Sequence, residues 1–405
     1  MPPSVLDIYV VWHPDDIEGD EIARELIEHF HGTPYVGLVD GSVEVYTRSA
    51  SWGPDTDAPR PVPPVEPDPH ALATPMFTAF VLLIGVELQR AVENPSSGWR
   101  DYLSDIAVAR GHSDNVWVFP AQMEDWRRDG QLGDVLAGIQ ALPPSSTNDT
   151  AVLCRELSQQ IAQNIGGPLG ERLTVFISHT KRHSQGEVAD WVRDLIDRVR
   201  IRIARTHLQE FFDESDIQPG SDADDELDRS AASNILLALR TDLYAGRDWC
   251  QREFRGAKQA GRPIVTLSAT RLAEERGSFL MDHVPVVGYQ HGDEDEKNKS
   301  IDTALNLLVD RALRYSLWAC QQDELLLLGV DWAPPEAPEP ATLIPWLLEH
   351  PETAAGYQIT IMHPDPPLGS REEELIRMLL TLVNANATVE IVTPRTYADR
   401  GGRGL

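Results

Sequence analysis

Trp249 and Glu253 place an aromatic ring and a carboxylate four positions apart, in a segment whose pattern predicts a helix. Side chains at i and i+4 share one helix face, with Cβ atoms about 5–6 Å apart. Such a pair suits a planar cation, because the ring can stack on it and the carboxylate can stabilise positive charge. Positive charge of this kind also develops on a sugar when a glycosidic bond breaks. The pair alone also fits a solvated glutamate in a first helical turn.

A second group of polar residues belongs to a predicted strand at 173–179 and the turn after it. Ser178 and His179 end the strand, and Lys181 and Arg182 follow. Ligands of α/β proteins bind at the carboxyl ends of parallel strands, and cationic side chains at that edge can bind a diphosphate. His179 alone is also explained as a residue that caps the turn. The segment is therefore a candidate binding edge for an anionic ligand.

The elements that would position these residues repeat along the chain. An apolar run of strand length that ends in a histidine occurs three times, and a helical pattern follows each run. Runs rich in β-branched residues without strict alternation are typical of parallel strands buried on both faces. Strand and helix in this order predict an α/β fold, with helices on both faces of parallel sheets. These strands are predicted at 8–13, 173–179 and 357–363, with helices at 18–31, 185–205 and 370–384.

Length and composition limit the architecture and the ligands. The 405 residues favour two or three domains, and no apolar run is long enough to span a membrane. A net charge of −29 disfavours direct binding of nucleic acid or of an anionic membrane. Three widely spaced cysteines predict neither a disulfide framework nor a zinc site. Without a signal peptide, the expected compartment is the cytoplasm.

Proline-rich segments predict the domain organisation. Residues 52–75 contain eight prolines, which predict an extended, exposed insertion. Similar segments at 141–150 and 331–345 predict linkers between domains, and a helical stretch is predicted at 301–328. We therefore expect an N-terminal α/β domain at 1–140, a linker and helix at 141–170, a central domain at 171–300, a helical connector at 301–332 and a small C-terminal α/β unit at 333–405.

Four motifs follow one another in the central domain. They are Val175-Phe-Ile-Ser-His179, a second strand that ends at Asp213 before Pro219-Gly220, a third strand that leads to Thr241 and Tyr244, and Trp249-Cys-Gln-Arg-Glu253. Together they resemble a TIR domain of the bacterial, NAD-cleaving, antiphage-defence type. The resemblance implies a flavodoxin-like fold, a catalytic Glu253, and NAD+ as substrate rather than cofactor. No metal is expected, because Ile217 stands where the EF-hand spacing of the acidic run at 213–228 needs an oxygen ligand. The resemblance also implies that the substrate-binding residues are Ser178, His179, Lys181, Arg182, Asp213, Gly220, Tyr244 and Trp249.

The resemblance further implies how such a protein is controlled. TIR domains self-associate, so an NAD+ glycohydrolase or cyclase of this kind is expected to stay inactive until oligomerisation, or a protein or nucleotide signal, triggers it. The loop at 213–220 would form head-to-tail contacts, although Ser215-Asp216 keeps only the acid of the family's Arg-Asp pair. Two alternatives stay open: a non-catalytic TIR signalling and assembly module, and a nucleoside deoxyribosyltransferase-like enzyme.

The N-terminal domain aligns with the central one over the helix that carries Glu253. Trp99 is followed by a glycine twelve positions later, as Trp249 is. Where Glu253 would fall, the N-terminal domain has Leu103, or Ile106 in an alternative register. An apolar side chain cannot stabilise a developing cation, so we predict a TIR-like pseudo-domain that lacks the catalytic glutamate. A flavodoxin-like domain of any function would show a similar layout.

Overall fold

The computed structural model describes residues 5–32, 43–54, 56–61, 75–126, 129–170, 172–180, 189–211, 229–274, 277–327, 329–354, 356 and 358–399. The chain divides into two compact units, Met1–Leu157 (unit 1) and Ser158–Leu405 (unit 2). No helix in the described ranges combines the length and the apolar character that crossing a membrane requires. The finer divisions expected at 141, 171, 301 and 333 stay predictions.

Unit 1 is built on a parallel sheet. Its strands are β1 (Leu6–Val11), β2 (Val43–Arg48), β3 (Phe77–Ile84) and β4 (Val116–Gln122), in the order β2-β1-β3-β4. All of β1 is buried, as is β3 after its first residue, which is the pattern of strands covered on both faces. The helices are α1 (Ile17–His31), α2 (Val86–Glu93), α3 (Trp99–His112), α4 (Gln131–Val135), α5 (Pro144–Thr147) and α6 (Thr150–Ile165), whose last residues belong to unit 2.

The proline-rich segment of unit 1 departs from its prediction where it is described. Ala58 is buried in the core of unit 1 rather than exposed. The backbone N–H of Asp57 donates to the carbonyl of Ser97 at 3.0 Å, and that of Trp52 donates to the carbonyl of Ala58 at 3.0 Å. Proline disfavours helix interiors and central strands, but it does not prevent a small residue between prolines from packing. Residues 62–74 lie outside the described ranges.

Unit 2 contains a second parallel sheet, in which the first strand lies between the second and the third, an order typical of flavodoxin-like domains. The strands are β5 (Thr174–Ser178), β6 (Gln209–Phe211), β7 (Ile235–Arg240), β8 (Ile264–Ser268) and β9 (Val286–Gly288), in the order β6-β5-β7-β8-β9. The predicted α/β class, with parallel sheets flanked by helices, is confirmed. The helices of this part are α7 (Ala189–Ile203), α8 (Asp248–Gln259) and α9 (Glu294–Leu327).

Helix α9 begins earlier than the sequence pattern predicts. Its apolar periodicity starts at Ile301, but the helix starts at Glu294. The Asp293 side chain accepts hydrogen bonds from the backbone N–H groups of Asp295 and Glu296, at 3.0 and 2.9 Å. This cap and the acidic first turn stabilise a helix start that carries no apolar pattern.

The last part of unit 2 is a small α/β layer. Its elements are α10 (Pro340–Glu349), α11 (Pro351–Ala354), β10 (Gln358–Met362), α12 (Ser370–Val383), β11 (Thr388–Val392) and α13 (Pro394–Asp399). Strands β10 and β11 pair in parallel, and a two-stranded sheet alone buries little apolar surface. A buried ion pair, with Lys258 Nζ of α8 2.7 Å from the carboxylate of Glu339 at the start of α10, ties this layer to the rest of unit 2.

Candidate active site

Glu253 lies on the inner side of α8, next to the apolar stripe that fixes this helix on the sheet. Cys250, Phe254 and Ala257 form the stripe, and all three are buried in one core cluster. Glu253 itself is only 3% exposed. Burying a carboxylate costs free energy unless hydrogen bonds or opposite charges compensate. The contacts of Glu253 are therefore the centre of the site.

Ser178 is the first of these contacts. It is the last residue of β5, 1% exposed, and its hydroxyl donates to Oε2 of Glu253 at 2.5 Å. The bond joins the carboxyl end of β5 to the middle of α8. Ligands of α/β sheets bind at this edge, and the carboxylate lies there.

Tyr244 is the next residue in the same chain of hydrogen bonds. It begins a short 3₁₀ helix between β7 and α8, and its hydroxyl lies 2.6 Å from Oγ of Ser178. The residue is fully buried. Burial above all, and then the nearby Cys250 and Glu253, raise the pKa of this hydroxyl well above its ordinary value. Tyr244 therefore stays protonated at physiological pH.

His179 and Thr180 continue the main chain beyond β5 and are both buried. The carbonyl of His179 accepts a hydrogen bond from the Cys250 thiol at 3.6 Å, and the imidazole Nδ1 lies 3.3 Å from the carbonyl of Thr180. The hydroxyl of Thr180 is 3.5 Å from that of Thr241, at the end of β7. These bonds attach the turn after β5 to α8 and to β7, which fixes the edge beside Glu253.

Trp249 lies one helical turn before Glu253 and is half-buried. The guanidinium carbon of Arg252 is 5.5 Å from the centroid of its ring, a distance within the range of cation–π contacts. The face of this ring thus accommodates a planar cation. The cation that lies there in the structure is the guanidinium of Arg252, from the same helix.

The structure brings together part of the predicted set of site residues. Ser178, Tyr244 and Glu253 form one hydrogen-bonded chain, while His179 directly follows Ser178 and Trp249 lies one turn before Glu253 in α8. The roles assigned to these five residues stay predictions. The remaining members of the set lie outside the described residues: Lys181, Arg182, Asp213 and Gly220.

Two polar contacts at the same sheet edge were not predicted from the sequence. The Arg240 guanidinium binds both carboxylate oxygens of Glu274, at 2.5 and 2.6 Å. Oδ1 of Asp242 accepts three backbone N–H groups, those of residues 271–273, at 2.9 to 3.2 Å. The available signal was an Arg-Thr-Asp sequence at the end of a buried strand, because side chains there reach the loop of the neighbouring strand.

Among the described residues, no three or more His, Cys, Asp or Glu side chains are grouped as a metal site would require. The family model of the TIR domain matches residues 175–303, from β5 into α9. The chain therefore contains a TIR domain in this segment, as the four motifs predicted. A search of curated proteins returned no match to the chain.

Proposed function

We propose that the TIR domain of unit 2 cleaves the N-glycosidic bond between nicotinamide and ribose in NAD+. The observation that carries this proposal is the buried Glu253 carboxylate at the carboxyl edge of the sheet. Ser178 donates a hydrogen bond to this carboxylate, and Trp249 lies one helical turn before it. A carboxylate withdrawn from water costs free energy, and groups in such environments cluster at functional sites.

Trp249 and Glu253 have separate roles in the proposed reaction. The positively charged nicotinamide ring stacks on Trp249, and the Glu253 carboxylate binds the ribose and stabilises the oxocarbenium-like charge as the bond breaks. The electron pair of the bond leaves with nicotinamide, which becomes neutral. Attack by water then gives ADP-ribose and a proton, whereas attack by a nitrogen of the adenine, which adds no water, gives a cyclic ADP-ribose. In either outcome nicotinamide is released, which makes it the product to measure.

The burial of Glu253 also bears on control of the reaction. At 3% exposure, the carboxylate meets a substrate only after side chains around it have moved. We therefore include in the proposal that self-association of TIR domains, or a protein or nucleotide signal, opens the site. Restraint of this kind suits an enzyme of bacterial immune defence that consumes NAD+ in the cytoplasm, since unrestrained turnover would harm its own cell.

The test is nicotinamide release by the purified full chain, over a range of protein concentrations and with a crowding agent. We expect release by the wild type and at least a hundredfold slower release by Glu253→Gln, since one electrostatic contact to a transition state contributes about 10²–10³ in rate. Glu349→Gln, at an exposed residue that ends α10, is the matched control and keeps wild-type turnover. Equal rates for wild type and Glu253→Gln would contradict the proposal.

Two further measurements on the same protein, of self-association and of base exchange, separate the two alternatives. NAD+-independent self-association without turnover at any concentration would favour a TIR assembly module, which has no chemical need for a buried carboxylate. Exchange of the base of a deoxynucleoside, with NAD+ left intact, would favour a deoxyribosyltransferase-like enzyme.

A further inference from the structure

We infer that Ser178 and Tyr244 are positioning residues, which hold the Glu253 carboxylate through a two-step hydrogen-bond relay. The inference rests on the proposed function, because it assigns these residues to the same reaction. It differs from the expectation that they bind the substrate: in the structure the Tyr244 hydroxyl contacts that of Ser178, and the Ser178 hydroxyl contacts Glu253.

The direction of the relay follows from counting protons. A serine hydroxyl has one proton, and Ser178 donates it to Oε2 of Glu253. The proton between Ser178 and Tyr244 must therefore come from the tyrosine, whose raised pKa keeps it protonated. Tyr244 donates to Ser178, and Ser178 donates to Glu253. Such chains of hydrogen bonds polarise one another, so the second bond strengthens the first.

The relay also fixes where the carboxylate can be. Ser178 is anchored in β5, paired with β7, and Tyr244 is fully buried in the 3₁₀ helix after β7. Glu253 is thus held by two elements other than its own helix. A carboxylate oxygen accepts more than one hydrogen bond, so the bond from Ser178 does not by itself prevent Oε2 from accepting from a ribose hydroxyl.

The sheet does not require this polar relay, because unit 1 folds without it. Val11 in β1 has the place of Ser178 in β5, and it is fully buried. The two strands correspond because, in each, the aromatic residue two positions earlier stacks on the neighbouring edge strand: Tyr9 on Tyr46 with ring centroids 5.0 Å apart, and Phe176 on Phe211 with 5.7 Å.

The charged and titratable groups around the relay determine its pH dependence. In the described part of the chain, the charged and titratable groups that act on Tyr244 are Glu253 and Cys250 of α8 and Arg240 at the end of β7, and His179 follows Ser178. A hydroxyl that donates to a carboxylate favours its ionised form. Loss of the donor therefore moves the acid limb of the pH–rate profile to higher pH, a change that altered packing alone would not produce.

The experiment compares Ser178→Ala, Ser178→Cys and Tyr244→Phe with wild type and Glu253→Gln in the full chain. We expect kcat to fall about tenfold or more in Ser178→Ala and Tyr244→Phe, with KM changed by less than about threefold and the acid limb shifted upward. Ser178→Cys, whose thiol is a weaker donor, retains an intermediate kcat. Tyr315→Phe is the matched control, since this tyrosine in α9 binds Arg262 rather than the relay, and it keeps the wild-type profile.

The outcomes separate the relay from the reaction itself. Wild-type kcat and pH profile in both Ser178→Ala and Tyr244→Phe, together with an inactive Glu253→Gln, would overturn the relay and leave the proposed function intact. Turnover by Glu253→Gln would overturn the proposed function instead. Circular dichroism checks folding, and if Ser178→Ala does not fold, Ser178→Cys and Tyr244→Phe decide the question.

Discussion

The sheet of unit 1 and the TIR sheet of unit 2 follow the same path over their first four strands, β2-β1-β3-β4 and β6-β5-β7-β8. Their carboxyl edges carry opposite chemistry. Val11, Leu88 and Leu103 of unit 1 correspond to the three residues of the relay, and all three are fully buried in one apolar core cluster. In unit 2 the same places hold Ser178, Tyr244 and Glu253.

Register supports this correspondence. Tyr9 of β1 pairs with Phe80 of β3, and Phe176 of β5 pairs with Leu236 of β7. Leu88 follows Phe80 by eight positions, as Tyr244 follows Leu236.

The helices agree as well. Leu103 follows Trp99 in α3 by four positions, as Glu253 follows Trp249 in α8. The alternative register of the sequence comparison reaches Ile106, which is also fully buried.

The difference between the two edges indicates what the polar chain costs in free energy of folding and why unit 2 keeps it. Replacing buried ionic or polar groups with well-packed apolar side chains is often neutral or stabilising. Unit 1 has the apolar solution, so the fold does not need the polar one. We take the retained carboxylate of unit 2 as a functional feature, and the assignment of unit 1 as a TIR-like pseudo-domain stays a prediction.

The largest effect is expected when the three polar residues at the edge of the unit 2 sheet are replaced by apolar residues like those of unit 1. A triple variant, Ser178→Val, Tyr244→Phe and Glu253→Leu, removes the carboxylate and both of its hydroxyl partners. Nicotinamide release falls at least about a thousandfold, because the charge stabilisation is lost, while the free energy of unfolding stays equal or rises by about 1–3 kcal/mol. Nicotinamide assays and thermal unfolding measure the two effects. An unfolded triple variant would break the comparison, because the relay would then be part of the fold.

The converse exchange tests the apolar edge of unit 1. Leu103→Glu places a carboxylate in the core without a donor at Val11 or Leu88, which destabilises unit 1 by about 3–5 kcal/mol. Burial raises the pKa of the new carboxyl, so the loss grows as pH rises above the unfolded-state pKa and is smaller near pH 4. Hydrogen exchange of β1 and β3 reports the local stability.

The control for this exchange is Leu103→Met, which conserves volume and costs less than about 1.5 kcal/mol. Leu103→Glu creates no second NAD-cleaving site, because the neighbouring hydroxyls are absent at Val11 and Leu88. Nicotinamide release that survives Glu253→Gln only in the presence of Leu103→Glu would refute this point. Wild-type hydrogen exchange in Leu103→Glu would show that the edge of unit 1 tolerates charge.

Short-range patterns explain how much of the site could be predicted. The shared face of Trp249 and Glu253 follows from helical spacing, and the position of Ser178 at a strand end follows from the apolar run before it. The contact among Ser178, Tyr244 and Glu253 could not be predicted, because it joins three elements far apart in sequence. Spacing within one element does not give the distance between two side chains on different elements.

The fold, like the site, was predictable where short-range sequence patterns mark its elements. Buried strands such as β1 and β5 were predicted to within a few residues, because continuous apolar runs mark them. Two features departed from the prediction for local reasons: α9 starts at an acidic cap before its apolar pattern, and Ala58 packs inside a proline-rich segment. Side-chain hydrogen bonds and single small residues carry no periodic signal.

The smallest expected effect concerns how each unit uses an aspartate at its sheet edge. In unit 1, Asp16 accepts the backbone N–H groups of Glu87 and Leu88, both at 3.0 Å, and so caps α2. In unit 2, Asp242 accepts the N–H groups of 271–273 instead. The carboxylate of unit 2 therefore orders the loop after β8 rather than a helix start.

Asp242→Ala should loosen this loop by about 1 kcal/mol, which is the net contribution of a few partly exposed hydrogen bonds. Hydrogen exchange at 271–273 then accelerates about fivefold, while β5 and β7 keep wild-type protection. Asp242→Asn is the matched control, because its amide oxygen still accepts N–H donors, and it changes exchange less. If Asp242→Ala left the loop unchanged but altered kcat, Asp242 would act on the reaction directly, and the edge of unit 2 would differ from that of unit 1 by a fourth polar residue.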